Sequence, residues 1–305
     1  MSKLLDMPEI EASNEHLLSI WSEIVELGLE RFAAELDASG LTIIPPNLIA
    51  PPEFTEQLRD TIMQLSRQRT GMKPDISTGA SHRNIEATAG QVGETWLWRI
   101  LFENPIFEAA LMNRVTLALV TYLLGYSAKL SNSAAIIKGP VDFTGDPRPQ
   151  GLHSDNRGVP APFPPYAQVA NVTWALTDYS LENGCVGYLP GSHRLCRHPT
   201  PGEAIDELVP VEAQAGSVLI WHGNTWHAPY PRSAPGLRVS MLNYFCRDYF
   251  TPQERYRDEV PEALLARNSA RFATLMGLRD GYGWGDEGPD TELLRASQAG
   301  RSEWG

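Results

Sequence analysis

Cysteine is scarce in this chain of 305 residues. There are three, Cys185, Cys196 and Cys246, and no two stand in a Cys-x-x-Cys spacing. An odd, scattered set excludes a disulfide framework and a thiolate zinc site, and reads as reduced residues of a cytoplasmic protein. Basic charge is also short: 25 Lys and Arg face 37 Asp and Glu, a formal net charge of −12. No basic surface dominates, so no nucleic-acid partner is expected. Long apolar runs are missing, and none approaches the ~20 residues of a membrane span. The N-terminus, Met1-Ser2-Lys3-Leu4-Leu5-Asp6, reaches an acid before a signal-peptide core could form. The expected partner is therefore a small molecule, with no membrane and with a homodimer left open.

What is present suits one large domain over 1–305. A 42% hydrophobic fraction can bury a substantial core. The helical part comes first, over about 13–125. Apolar periodicity predicts helices over 13–38, 53–70 and 105–126. Leu41-Thr42-Ile43-Ile44 reads as a short strand before Pro45-Pro46. Residues 71–95 lack periodicity and read as a long excursion, a lid or loop. Then the texture changes. Short β-rich segments at 127–138, 168–176, 185–189, 208–213, 217–222 and 237–247 alternate with Pro and Gly clusters, which predicts a β core over about 127–250. A last helix is expected over 252–278, followed by an acidic, Gly-rich tail to 305. Helices followed by strands give an α+β class, mainly β in its core, with helices packed outside.

Within the β region stands Gly151-Leu152-His153-Ser154-Asp155. His153 and Asp155 are two apart, so on extended backbone they point the same way. An isolated His-x-Asp is common and carries no chemistry alone. A third ligand is available downstream at His227, and two imidazoles with one carboxylate form the facial triad of non-haem Fe(II) oxygenases. Mn(II) fits the same donors, and zinc stays open. Among the other histidines, His222 lies five before His227 and would face the opposite side of one strand. His193 and His198 read as surface-loop residues, and His16 as an exposed helix residue. His82 lies in the excursion, where it either contacts substrate or is solvated. Eleven residues beyond His227 stands Arg238, after a turn-rich connection that places it on the neighbouring strand. A guanidinium clamps a carboxylate through two charge-assisted hydrogen bonds. Ser240 would face the same side.

With these residues in view, the chain resembles the phytanoyl-CoA dioxygenase family of Fe(II)/2-oxoglutarate oxygenases. The resemblance runs from about Gln150 to Tyr249. Besides His153-Ser154-Asp155, His227 and Arg238, it rests on Trp174-Ala175-Leu176-Thr177-Asp178, Glu182-Asn183-Gly184, Leu189-Pro190-Gly191-Ser192-His193 and Ala215-Gly216-Ser217-Val218-Leu219-Ile220-Trp221. Ser217 departs from the Asp that many relatives carry there. The resemblance implies a double-stranded β-helix (a jelly roll, cupin-like) with N-terminal and C-terminal helices outside. It implies Fe(II) on His153, Asp155 and His227, with 2-oxoglutarate on Arg238 and Ser240 and O2 as oxidant. Gln150 and Trp174 match positions near the cosubstrate. The reaction implied is oxidation of a C–H bond, most simply hydroxylation, with release of succinate and CO2. Halogenating relatives replace the carboxylate with a small residue, so Asp155 favours oxygen transfer.

The substrate is expected to be a small organic molecule of specialised metabolism. The segment from Asn156 to Tyr166 follows Asp155 directly. Its Phe163 and Tyr166, together with Arg157, His82 and Arg83, are the candidate substrate contacts. Two other readings use the same residues: a non-catalytic cupin-like protein that binds a metal or small molecule, and a metal-dependent hydrolase.

Overall fold

The computed structural model describes residues 19–82, 93–141, 148–279, 284 and 286–288. The helical part begins with α1, through 19–26, and α2, Glu30–Ser39. After β1 (Leu41–Ile44) come a short α3 (Pro46–Ile49) and the 19-residue α4 (Pro52–Thr70). Next stand β2 (Glu94–Trp98), α5 (Pro105–Leu111) and α6 (Arg114–Leu124). The β part comprises β3 (Lys129–Lys138), β4 (Val169–Ala175), β5 (Val186–Tyr188), β6 (Val209–Pro210), β7 (Val218–His222), β8 (His227–Pro229) and β9 (Arg238–Cys246). Three short helices follow: α7 (Tyr256–Glu259), α8 (Glu262–Arg267) and α9 (Ala270–Leu275).

The strands form two sheets. The larger has the order β1-β7-β4-β9-β3-β2 and the smaller β6-β5-β8, a double-stranded β-helix. The two faces of the large sheet do different work because side chains alternate. Val172 and Trp174 on β4, Val218 and Ile220 on β7, Val239 and Met241 on β9, and Ala135 and Ile137 on β3 pack against Leu36 of α2, Leu58 and Ile62 of α4 and Leu119 and Val120 of α6 in the main core. The alternate residues face the interior of the β-helix. Helices outside a β core is thus the observed architecture. Among the described residues no single helix is long and apolar enough to cross a membrane; α5 and α6 meet that test only together, across a 52° bend.

Several expected elements are divided or added, each for a local reason. The helix expected over 13–38 breaks at Leu27 to Leu29, where Gly28 takes a φ of +65°; 13–18 lie outside the described residues. The helix expected over 105–126 becomes α5 and α6 because Asn113 leaves the helix, and its side chain accepts from the Thr116 N–H to start a new one. The last helix becomes three, interrupted before Pro261 and at Asn268-Ser269. The excursion 71–95 is not loop throughout: Glu94 opens β2, an edge strand registered on β3 from Glu94↔Lys138 to Trp98↔Ala134. Residues 83–92 of that excursion, Arg83 included, lie outside the description, as do His16 and most of the tail.

Gly40 joins the helical and β parts. It ends α2 with a φ of +83°, donates to the Leu36 carbonyl, and its own carbonyl accepts from the His222 N–H (3.0 Å) and Thr225 Oγ1 (2.8 Å). A Cβ there would stand 2.4 Å from Thr225 Oγ1 and 2.6 Å from His193 Nδ1. Gly71 also has a positive φ (+72°), but nothing lies within 4 Å of its would-be Cβ. Gly71→Ala is therefore expected to cost about 1 kcal/mol, from backbone strain alone. Gly40→Ala is expected to cost about 2–4 kcal/mol, strain plus overpacking. Urea denaturation of the two variants checks this, and equal losses would contradict it.

Candidate active site

His227 opens β8 opposite Tyr188 of β5. On its other side it forms an antiparallel bridge with His153. The two exchange both backbone hydrogen bonds, His153 N to His227 O at 3.1 Å and the reverse at 2.9 Å. Directly opposed residues of such a pair send their side chains to the same face, and the two imidazole centroids lie 4.3 Å apart. Asp155, two residues on, is fixed by its N–H to the Gly223 carbonyl (2.9 Å). Its Oδ1 stands 3.7 Å from Nε2 of each histidine. One donor atom from each of the three lies within 4.8 Å of the others.

The surroundings orient every donor. His153 Nδ1 faces the Gly151 carbonyl at 2.7 Å, and His227 Nδ1 faces that of Thr225 at 3.0 Å. A carbonyl only accepts, so both rings carry their proton on Nδ1 and present a bare Nε2 to the centre. Burial, and then the neighbouring His227, push the His153 pKa down to about 4, so the ring is neutral near pH 7. Trp221 Nε1 donates to Asp155 Oδ2 (2.9 Å), leaving Oδ1 free, and Tyr244 OH donates to the Asp155 backbone carbonyl (2.7 Å). Two imidazole nitrogens and one carboxylate oxygen fit Fe(II) or Mn(II), and also zinc.

A cavity of about 430 Å³ runs from this cluster to Arg238 at the start of β9. The Arg238 guanidinium lies 4.8 Å over the Tyr179 ring and donates to the Gly184 carbonyl. It is only 2% exposed, yet among the described residues its Nε has no partner, and neither has the buried Oγ of Ser240. Buried polar groups left unmatched are costly. Two adjacent ones mark a place for an anionic group. Beside Arg238 stand two charged residues that the sequence did not single out. Lys138, opposite Arg238 in the β3–β9 register, pairs with Glu94 (3.0 Å) and donates to the Tyr230 carbonyl (2.6 Å). Burial, then the Arg238 charge, lower the Lys138 pKa to about 8 against the pull of Glu94. Burial raises Glu94, but Lys138 and Arg238 outweigh it and hold the carboxyl below its usual range.

The structure separates the other candidates. Gln150 and Arg157 are exposed residues that line the cavity near His153. Trp174 does not line it. Its β4 neighbours on either side, Thr173 and Ala175, face inward, and the alternation turns Trp174 into the core against Phe54 (5.6 Å). Phe163 is 3% exposed and packs edge-on against His198 (4.6 Å). Tyr166 lies under Arg247 (4.9 Å). Both turn from the cavity because the 156–166 segment folds back onto Cys196, with Phe163 N donating to its carbonyl. His82 is also displaced: Nε2 meets the Gly93 carbonyl (2.9 Å) and the ring fills the space over Gly139, beside the start of β2.

Nor is Arg238 on the strand next to His227. The connection from Pro229 crosses from the small sheet to the large one, so they end on opposite sheets of one cavity. His193 and His222 are buried and 5.3 Å apart, one on a 3₁₀ turn and one closing β7, so neither is a surface or strand-face residue of the site. The sequence reading missed Trp221, Tyr244, Glu94 and Lys138. A signal existed for the third: Glu94, Trp96 and Trp98 alternate as a strand does.

Fold and site define a class: a double-stranded β-helix with a two-histidine, one-carboxylate cluster at one end of its cavity and a buried arginine at the other. The chain belongs to the phytanoyl-CoA dioxygenase (PhyH) family, whose model matches residues 36–240, more than half of its length. It is 32% identical over 184 residues to dioxygenase af480 of Aspergillus fumigatus, covering 59% of this chain and 55% of that protein. The match thus spans about half of that relative. An uncharacterised protein of Mycobacterium tuberculosis, Rv1501, is 25% identical over 190 residues, 61% of this chain and 68% of that one. Among solved structures, the epimerase SnoN with Fe3+, alpha ketoglutarate and nogalamycin RO aligns with a TM-score of 0.53 at 20% identity, covering 86% of this chain and 98% of that one. AviO1 of Streptomyces viridochromogenes aligns at 0.51 and 19% identity, covering 72% and 95%. At these identities the structures speak for the fold.

Trp221→Phe keeps the ring but frees Asp155 Oδ2. Removing such an orienting hydrogen bond is expected to weaken metal binding by about 10–100-fold. Chelator competition with Mn(II) checks it; an unchanged Mn(II) affinity would contradict the orienting role.

Proposed function

We propose that this protein is an Fe(II)- and 2-oxoglutarate-dependent oxygenase that hydroxylates a C–H bond of a small organic molecule, with succinate and CO2 as coproducts. One observation carries the reading. The buried guanidinium of Arg238, its Nε unmatched among the described residues, stands across one cavity from a cluster of three metal-type donors, with the unmatched Ser240 Oγ two residues further along β9. A binding protein or a hydrolase with the same triad has no use for that second, cationic end.

His153 Nε2, Asp155 Oδ1 and His227 Nε2 would hold the iron. Arg238 and Ser240 would receive the distal carboxylate of 2-oxoglutarate, with Gln150 and Arg157 at the mouth. Bound there, iron with 2-oxoglutarate and O2 supplies the oxidising power for C–H attack. The protein's own part is positional. The carbonyls of Gly151 and Thr225 hold both imidazoles in one tautomer. The Trp221 indole holds Asp155 as a one-oxygen ligand. Tyr179 shields the Arg238 guanidinium from water on one face, where charge pairing is strongest. Asp155 occupies the position a halide would need, which supports oxygen transfer as the outcome. Specialised metabolism is the proposed setting, one shared by the structural neighbour from nogalamycin biosynthesis.

The direct test is succinate release from Fe(II) and 2-oxoglutarate under air. The wild type is expected to form it slowly without a prime substrate. Asp155→Ala is expected to lose at least about 100-fold, and Arg238→Met to raise the 2-oxoglutarate KM about 100-fold, the worth of two charge-assisted hydrogen bonds. Succinate formation unaffected by either change would sink the reading.

Lys138 adds a pH dependence. Below about pH 8 it is charged, and with Arg238 and Glu94 it leaves a net positive site. Above that pH the site becomes neutral, so the affinity for 2-oxoglutarate is expected to fall as pH rises through 8. Lys138→Arg, which stays charged, is expected to remove the inflection. Calorimetric titration from pH 6.5 to 9.5 measures both.

A further inference from the structure

The register of the large sheet sorts its inner face into rows. The first row, Glu94, Lys138 and Arg238, is charged. The last row, Asn132, Tyr244, Asn171 and Trp221, adjoins Asp155 through the Trp221 and Tyr244 hydrogen bonds. Between them, on the edge strand β2, lie Trp96 and Trp98, both lining the cavity. Their rings stack at 4.6 Å and 15°. Trp96 Nε1 is held by Glu94 Oε2 (3.0 Å), so its plane is fixed, while Trp98 is 36% exposed at the open edge.

Further along the same inner face, on the neighbouring strand β3, Asn132 forms half of an amide couple. Asn132 is 6% exposed, and its Nδ2 donates to Gln253 Oε1. The Gln253 backbone is tied by its N–H to Ser131 Oγ (3.0 Å). Among the described residues Asn132 Oδ1 has no partner, although it is buried beside the cavity. An unmatched acceptor at such a wall calls for a donor from a ligand. Two arginines near the tryptophans are already used. Arg69 pairs with Glu103 (2.7 Å) and donates to the Trp98 carbonyl, and Arg99 pairs with Glu259. Neither of those two arginines is left for an anionic group; Arg157, exposed and lining the same cavity beside Asp155, is the cation a substrate would meet.

We infer that the substrate is a ring-bearing molecule that lies on the Trp96–Trp98 wall and donates a hydroxyl or N–H to Asn132 Oδ1. The inference rests on the oxygenase reading for which end of the cavity the cosubstrate takes. Flat indole faces favour a planar or fused ring over a flexible chain. The lone acceptor selects a donor, because a ligand without one leaves Asn132 Oδ1 desolvated and unmatched.

The test is equilibrium binding, without turnover, to the full chain loaded with Mn(II) and 2-oxoglutarate under argon. The probes are 2-naphthol, 2-methoxynaphthalene, 2-naphthoate and acetyl-coenzyme A, followed by tryptophan fluorescence and calorimetry. Expected is that 2-naphthol binds and quenches, while the methoxy and carboxylate analogues and the thioester bind at least about tenfold more weakly. Trp98→Ala, at an exposed edge where folding is safe, is expected to weaken 2-naphthol about tenfold. Asn132→Leu is expected to bring 2-naphthol and 2-methoxynaphthalene to equal affinity. The wild-type comparison of those two probes stands even where that variant does not fold. The inference is overturned by tighter binding of 2-naphthoate or acetyl-coenzyme A, by equal wild-type affinity for naphthol and its methyl ether, by no effect of Trp98→Ala, or by no ring binding at all. Because no turnover is read, such a failure with succinate release intact removes this inference alone, and loss of succinate release removes the reading beneath it.

Discussion

Two backbone hydrogen bonds between His153 and His227 hold this structure's functional geometry together. The residues are 74 apart in sequence, and neither belongs to a long strand. Yet the antiparallel exchange leaves one relative placement for their side chains, and Asp155 follows from the same extended backbone. Much of the remaining fold secures that exchange. The large sheet positions Trp221 under the Asp155 carboxylate. Gly40, at the end of a helix more than a hundred residues earlier, anchors the turn from His222 to Thr225 that leads into His227. The site is therefore rigid through main-chain hydrogen bonds rather than through packing of the ligands themselves.

The opposite end is governed by electrostatics. Lys138 and Arg238 are buried side by side, with one carboxylate, Glu94, on the far side of Lys138. Burying an unbalanced charge is costly unless a partner arrives. The fold tolerates this because the Gly184 and Tyr230 carbonyls accept from Arg238 and Lys138 and Tyr179 supplies a ring face. An anionic group at Arg238 would complete the balance. In the proposed reading the two ends would have opposite preferences, metal cation at one and carboxylate at the other, with Trp96 and Trp98 lining the cavity that joins them.

The β-helix was legible in the sequence because its strands are short, apolar and separated by Pro and Gly, and because several motifs lie in a fixed order. Less legible was anything decided by alternation within a strand of both-face burial. Trp174 reads equally well as site or core in sequence, and only the register, which faces Thr173 inward, decides for core. Phe163 and Tyr166 follow Asp155 closely, but nearness in sequence did not survive the fold-back onto Cys196. His82 stands near the cavity's edge strand, held by the Gly93 carbonyl rather than aimed inward. Glu94 was obscured because a Gly- and Ser-rich stretch before it masked a five-residue edge strand; Lys138 closes a strand that was expected, but its role shows only once Glu94 and Arg238 are placed beside it. The helix breaks at Gly28 and Asn113 depended on single residues leaving the helical conformation, which periodicity alone does not register.

The central claim is that one cavity holds a metal and a 2-oxoglutarate at once, the first on His153, Asp155 and His227 and the second on Arg238. The most direct measurement is the visible absorption of the anaerobic protein as Fe(II) and then 2-oxoglutarate are added. The account predicts a charge-transfer band that requires both additions, is absent in His153→Ala, and needs far more 2-oxoglutarate to develop in Arg238→Ala. Full occupancy by both ligands with no band, or a band that forms equally well in those two variants, would contradict it.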